Sequence, residues 1–447
     1  MTKDTAWTEK IARSLADTLP PSAKNAVTPV YYYYQSKSSN SSHQSPTCNL
    51  TKLPNAPEHV LLVVVDALRP DAAPDIGVEF GSAVTPGTWT FPAVTSLHTS
   101  LYPHEHGSVA HTHPEDEEFA MPQQYSSRET IAHTLESAGY ETYAGCAFIT
   151  PFLAVKSWYQ STRVYDFERA ENVISDYLSW RDERPQTFGY LHLGDLHNPL
   201  NPPEQYKRPY DIDESLDLAF PDQWAADFDG SPEAQHFHEQ RVKLYRAALD
   251  YVSDQLRDLL SEVGDDTLVV VTGDHGESQF EHAQKDRVMS DSRPNYGVGH
   301  GGTPFDELAR VPVAVSVPGE GTVVPTGGWG SLIDIPQTIS ERVLETHHFS
   351  GYDWAEDIPV ERAVICEACR YGTERKAIYR GSEFLIHSKT DNVTFTGTVT
   401  SDGVSFNGQV QDEGALLSEL PDAWDDFGSG HSVSEVAESQ LRALGYK

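Results

Sequence analysis

Three apolar runs in this chain end in an aspartate: HVLLVVVD closes on Asp66, TFGYLHLGD on Asp195 and TLVVVTGD on Asp274. One such acid is ordinary, because Asp commonly opens a turn. Three form a pattern when each has a His or Arg close by, here Arg69, His197 and His275. Carboxylates and neutral imidazoles are good ligands for zinc or manganese. His275 adjoins Asp274 in Asp274-His275-Gly276-Glu277, where Gly276 would let the backbone turn closely around an ion. His300 lies among glycines in GVGHGG, which would let its ring fold inward. Arg69 reads either as an anion clamp or as the anchor of its own loop. Thr90 precedes Pro92 by two residues in TWTFPAVTSLHTSLYPHEHG. Proline suits the first turn of a helix, so Thr90 is predicted just ahead of a helix N-terminus, where an anion is favoured. A hydroxyl beside a metal there could attack phosphorus or sulfur. The plainer reading makes Thr90 only a helix cap.

The runs themselves read as strands buried on both faces. ETYAGCAF (141–148), VPVAVSVPG (311–319) and RAVICEA (362–368) read as further strands of the same kind. Helical patterns lie between them. SSRETIAHTLESAG (126–139) carries a capping box, Ser126 with Glu129, and stops at Gly139. Residues 236–264 have apolar spacing of helical period and stop at Gly264. Alternating strands and helices predict a mostly parallel sheet covered on both faces, with ligands bound beyond the carboxyl ends of its strands. Three divisions are expected. Residues 1–57 form an N-terminal helix and a Ser-rich linker, whose tyrosines pack on the main body while its serines do not. Residues 58–371 form the α/β domain. Residues 372–447 alternate like antiparallel hairpins and end in a helix.

The chain has 447 residues and a formal net charge of −35, from 67 acids against 32 bases. Such a surface repels nucleic acid and anionic membranes, and an anionic substrate would need local cations. Adaptation to high salt is the favoured explanation, since screening removes self-repulsion. Four cysteines in so long a chain do not suggest a disulfide scaffold. Cys366 and Cys369 form half of a zinc site with no second pair, and are read as structural. The N-terminus lacks a secretory pattern and no run reaches the roughly 18 apolar residues of a membrane span, so a cytoplasmic location is expected.

Five segments, in order, resemble the alkaline phosphatase superfamily, most closely its sulfatase-type members. They are VVVDALRPD, TFPAVTSLHTSLYPHEHG, LHLGDLHNP, VVVTGDHGE and GHGGTPFDELARVPVAVSVPG, within residues 58–390. The resemblance implies an alkaline-phosphatase-like three-layer α/β/α sandwich with a mostly parallel sheet and a small C-terminal β-rich subdomain. It implies that Asp66, Asp274 and His275 hold a metal beside Thr90, which occupies the nucleophile position. It places Asp195, His197 and His300 where two-metal members hold a second ion, with His192 a rival to His197. One or two divalent ions are implied, zinc or manganese ahead of magnesium or calcium.

The chain departs from the sulfatase pattern in three places. Formylglycine is made from Cys or Ser, and Thr90 is neither. Val94 replaces the arginine of the nucleophile motif, and Ala67 replaces the second acid of an Asp-Asp pair. A threonine nucleophile with Asp/His ligands resembles the nucleotide pyrophosphatase, phosphodiesterase and phosphomutase members. Hydrolysis of a small anionic phosphate ester is therefore favoured over formylglycine sulfatase chemistry. The alternatives are transfer of a phospho-group to a sugar or other hydroxyl, and a catalytically degenerate member that binds an anion.

Overall fold

The computed structural model describes residues 21–110, 121–221, 230–290, 296–346, 349–368, 370–371, 374–400, 403–410, 414–421 and 440–441. The chain begins with helix α1 (Pro21–Ser42), strands β1 (His59–Val65) and β2 (Gly81–Val84), and helix α2 (Thr90–Thr99). Helix α3 (Ile131–Ser137), strand β3 (Glu141–Cys146), helix α4 (Ile149–Val155) and strand β4 (Ser161–Val164) follow. Next come helix α5 (Ala170–Arg181), strand β5 (Thr187–Leu193), the long helix α6 (Pro232–Val263) and strand β6 (Thr267–Gly273). Two short strands, β7 (Ser278–Gln279) and β8 (Val298–Gly299), precede β9 (Arg310–Val317), β10 (Gly321–Val323), β11 (Gly330–Ser331) and helix α7 (Ile335–Val343). The last strands are β12 (Ala363–Ala368), β13 (Arg375–Arg380), β14 (Glu383–Ser388), β15 (Val393–Thr400) and β16 (Gly403–Val410).

The larger sheet runs β11-β2-β9-β6-β1-β5-β3-β4, with β10 paired to β9. From β4 to β6 every neighbouring pair is parallel, and β9 runs against both β6 and β2. The continuous apolar runs are explained by position. All seven residues of β1, β5 and β6 are buried, because helices cover the sheet. Register then decides what leaves the sheet together. Val65 of β1 pairs with Leu193 of β5 and with Gly273 of β6. Asp66 and Asp274 are each the next residue, so they emerge side by side from adjacent strands.

A second, antiparallel sheet runs β12-β13-β14-β15-β16. RAVICEA belongs here: β12 pairs antiparallel with β13 and does not join the parallel strands. Its backbone also grips the loop before α2, since Glu367 N–H donates to Pro86 O (2.8 Å) and Thr88 N–H donates to Glu367 O (3.3 Å). The second sheet is thereby tied to the segment that carries Thr90.

Two local expectations are corrected. The serine run is helix, continuous with the tyrosines, and it packs. β4 is an edge strand with unpaired N–H groups. Ser36 Oγ accepts from Val164 N–H (3.0 Å) and Asn40 Oδ1 accepts from Thr162 N–H (2.7 Å). Ser39 Oγ accepts from Ser157 N–H (2.9 Å). Small hydroxyl side chains let the helix lie close enough to cap that edge. Of the tyrosines, Tyr32 is buried while Tyr33 and Tyr34 are exposed. The second correction concerns α3, whose cap is Thr130, accepting from His133 N–H, and not Ser126. Residues 1–20, Cys369 and most of the expected C-terminal helix lie outside the described residues. Cys366 is buried and forms no disulfide. Among the described residues no helix is long and apolar enough to cross a membrane.

Candidate active site

Asp66, Asp274 and His275 converge beyond the ends of β1 and β6, each offering a ligand atom, with all of these atoms within 4.8 Å of one another. All three residues are fully buried. Asp66 Oδ1 and Asp274 Oδ2 have no hydrogen-bond partner. Two buried carboxylate oxygens left so, next to an imidazole nitrogen, are costly unless a cation joins them. The donor set fits a divalent metal.

The ring of His275 is oriented by its own loop. Its Nδ1 lies 2.8 Å from Gly276 O, and as the donor there it leaves Nε2 facing the carboxylates. Nε2 is 3.6 Å from Asp66 Oδ1 and 3.5 Å from Asp274 Oδ2. Gly276 is required for a reason other than an ion. A Cβ there would stand 1.9 Å from Glu307 O, because the Glu307–Leu308 backbone crosses tightly and Leu308 O accepts from Gly276 N–H.

Thr90 is the first residue of α2, one position later than expected, and Trp89 precedes it as the cap residue. Pro92 lies in the first turn, as the sequence implies. Thr90 Oγ1 donates to Asp66 Oδ2 (3.0 Å) and stands 3.3 Å from His275 Nε2. Its hydroxyl therefore touches the carboxylate cluster from a helix N-terminus, where backbone N–H groups favour an anion.

The other predicted residues divide. His197 and His300 come together with ring centroids 4.8 Å apart, and His300 lies 4.5 Å from His275. His300 Nδ1 bonds Glu277 Oε2 (2.8 Å), and Glu277 Oε1 accepts from Asn198 Nδ2 (3.0 Å). Asp195 stays apart. Its carboxylate accepts from Ala170 N–H at the start of α5 (3.0 Å), and burial raises its pKa to about 7. The reason is the pleat. Gly194 of the segment after β5 aligns with Asp66, so Asp195 is one residue out of phase. His192 is in phase, pairing with Val64 two residues before Asp66. Its Nε2 accordingly bonds Asp66 Oδ2 (2.9 Å), and its Nδ1 bonds the Tyr190 hydroxyl (2.7 Å). Arg69 is held by its own loop and by the segment after β7. It pairs with Asp71 (2.9 Å) and Glu281 (2.7 Å) and donates to Glu277 O (2.5 Å).

Burial keeps most of these imidazoles neutral. It lowers His192 and His197 to about 4 and His300 well below its ordinary value. His275 moves the other way: burial opposes its charge, but Asp274 and Asp66 outweigh it. Burial and then the repulsion of Asp66 push Asp274 up to about 6. Glu277 and Asn198 were not assigned roles from the sequence. Glu277 alone carried a local signal, as the acid closing Asp274-His275-Gly276-Glu277.

The fold is an α/β architecture of the alkaline-phosphatase type, with a candidate metal site at the ends of β1 and β6. The Sulfatase family model matches residues 66–343, and the chain belongs to that family, whose members hydrolyse sulfuric and phosphoric esters. Among solved structures, it is similar to BT1596, a 2-O GAG sulfatase, at 14% identity and TM-score 0.54, covering 77% of this chain and 85% of that one. It is similar to the phosphonate monoester hydrolase of Agrobacterium radiobacter at 15% identity and TM-score 0.52, covering 74% and 87%. It is also similar to BT4656, solved with its substrate D-glucosamine-2-N,6-O-disulfate, at 14% identity and TM-score 0.50, covering 74% and 88%. No curated protein matches the sequence.

Proposed function

We propose that this protein hydrolyses phosphate esters, and sulfate esters less readily, through Thr90 at a single divalent-metal site. The observation that carries the reading is the Thr90 hydroxyl, held 3.0 Å from Asp66 Oδ2 at the start of α2 and against the Asp66–Asp274–His275 cluster. Those three residues would hold the ion, zinc or manganese by donor type, and the ion would supply Lewis acidity and positive charge. The chain's own groups account for the rest. The proton of Thr90 sits on its bond to Asp66, so it has an acceptor as the oxygen attacks. The Oγ1–phosphorus bond forms as the bond to the departing alcohol breaks, and water then frees the threonine. The N-terminus of α2 stabilises charge on the transferred group. Neutral His300 stands against His275, and His197 against His300, with Glu277 and Asn198 bonded to them. A threonine nucleophile cannot become formylglycine, which favours phosphorus over sulfur. Asp195 lies apart from His197 and His300, which favours one ion over two.

The test is a metal-supplemented panel of phosphate monoesters, phosphate diesters and sulfate esters. Wild-type protein should turn over the phosphate substrates fastest. Thr90→Ala should lose at least about a thousandfold in kcat while retaining its metal, and Thr90→Ser should keep measurable activity. Wild-type turnover in Thr90→Ala would mean that water attacks directly.

A further inference from the structure

An anionic ester must approach a chain of net charge −35, so a cationic side chain beside the metal would aid its binding. One arginine reaches the loop before Thr90 from the other sheet. Arg370 follows β12 and is 2% exposed. Its guanidinium stands 5.7 Å from the ring centroid of Trp89, the residue before Thr90, and 4.8 Å from that of Tyr371. The Tyr371 hydroxyl donates to His300 O (3.5 Å).

The chain makes room for this side chain. Gly301 follows His300 with φ +80°, and a Cβ there would meet Arg370 Cδ at 2.5 Å and Tyr371 Cε2 at 3.2 Å. Gly301 N–H donates to Thr88 O (2.6 Å), while β12 grips Pro86 and Thr88 through Glu367. The loop before Thr90, the loop after His300 and the segment after β12 therefore meet around one guanidinium.

We propose that Arg370 is the substrate-binding cation of this site, engaging the anionic oxygens of the ester group from the side of the C-terminal sheet. Guanidinium remains charged at any working pH, and its planar fork matches two oxygens of a phosphate or sulfate. Aromatic faces hold the group in place while preserving its charge. The C-terminal sheet thus has a role in recognition, and Gly301 is a positioning residue for Arg370. The inference rests on the ester-hydrolase reading above.

Binding of inorganic phosphate and of sulfate to the manganese-loaded protein, measured by titration calorimetry, separates the two claims. Arg370→Met should weaken phosphate binding by about tenfold or more, with circular dichroism and metal content unchanged. Arg370→Lys, which keeps the charge and loses the fork, should weaken it by about threefold. Gly301→Ala should reproduce part of the loss by displacing the arginine. A folded Arg370→Met protein that binds phosphate as tightly as the wild type overturns the inference. Should that variant not fold, unchanged affinity in Arg370→Lys overturns it equally. Weakened phosphate binding in the variants, with a wild type inert towards every ester, supports the arginine's role and removes the hydrolase reading alone.

Discussion

Replacing Asp274 by Asn should stabilise the metal-free protein while abolishing its response to metal. The amide oxygen introduced by Asp274→Asn can still accept from His275 N–H, as Asp274 Oδ1 does at 2.9 Å, so the change removes charge more than contact. The carboxyl of Asp274 is displaced from 3.8 to about 6, first by burial and then by Asp66. At about 1.4 kcal/mol per pH unit, that displacement corresponds to about 3 kcal/mol. Coulomb's law gives a similar figure. Two charges within 4.8 Å repel by at least about 3 kcal/mol at an effective dielectric constant of about 20. The sign follows from the raised value. Above about pH 6 folding forces a buried charge on Asp274, and below 3.8 neither the folded nor the unfolded chain carries it. In chelator at pH 8, Asp274→Asn should therefore unfold up to about 3 kcal/mol later than wild type, with the advantage vanishing by about pH 3.5. Adding manganese or zinc at about a hundred times the dissociation constant should raise wild-type stability by about 2.7 kcal/mol and the variant by almost nothing. Denaturant unfolding with and without chelator reads both effects. A chelated variant no more stable than chelated wild type, or one that gains as much from metal, refutes the assignment of this cluster.

Three further outcomes are expected. Asp195→Asn should leave metal stoichiometry unchanged, because that carboxylate serves Ala170 N–H at the start of α5, and lost metal would restore it as a ligand. His43 lies 2.9 Å from Glu136, and although burial opposes its charge, hydrogen bonding to Glu136 raises its pKa above 6.5, while Glu136 is lowered by the same contact. With His133, Arg128 and the Ser157 carbonyl also facing His43, the pair stabilises α1 docking most between Glu136's ordinary 4.5 and His43's ordinary 6.5 and loses effect as pH rises. His43→Gln should thus cost up to about 1 kcal/mol near pH 5.5 and little at about pH 8.5, which unfolding at both pH values would check. The net charge of −35 predicts a melting temperature that climbs from dilute buffer to molar KCl, and no change with salt would count against adaptation to it.

Much of this was legible in the linear chain because the chemistry is local to strand ends. A seven-residue apolar run closing on an acid reads as a buried strand that delivers a carboxylate to its end, and Asp66 and Asp274 were found that way. His275 came with Asp274 as its neighbour, and Pro92 marked the helix that carries Thr90. The ordered motifs then identified the family. What the chain alone left undecided was set by register and by contacts between distant segments. On paper Asp195 is a ligand and His192 only a rival to His197. The pairing of β1 with β5 puts His192 in phase with Asp66 and Asp195 out of phase. Arg69 looks like an anion clamp until Glu281, more than two hundred residues away, takes its guanidinium. The serine run reads as a linker until β4 and the turn before it lend N–H groups for those hydroxyls to accept. Arg370 lies 280 residues beyond Thr90 and carries no motif; only the seating of β12 on the loop before α2 brings the two together. Propensity and motif are properties of neighbours in sequence, whereas which buried charge meets which is determined by the closure of the whole sheet.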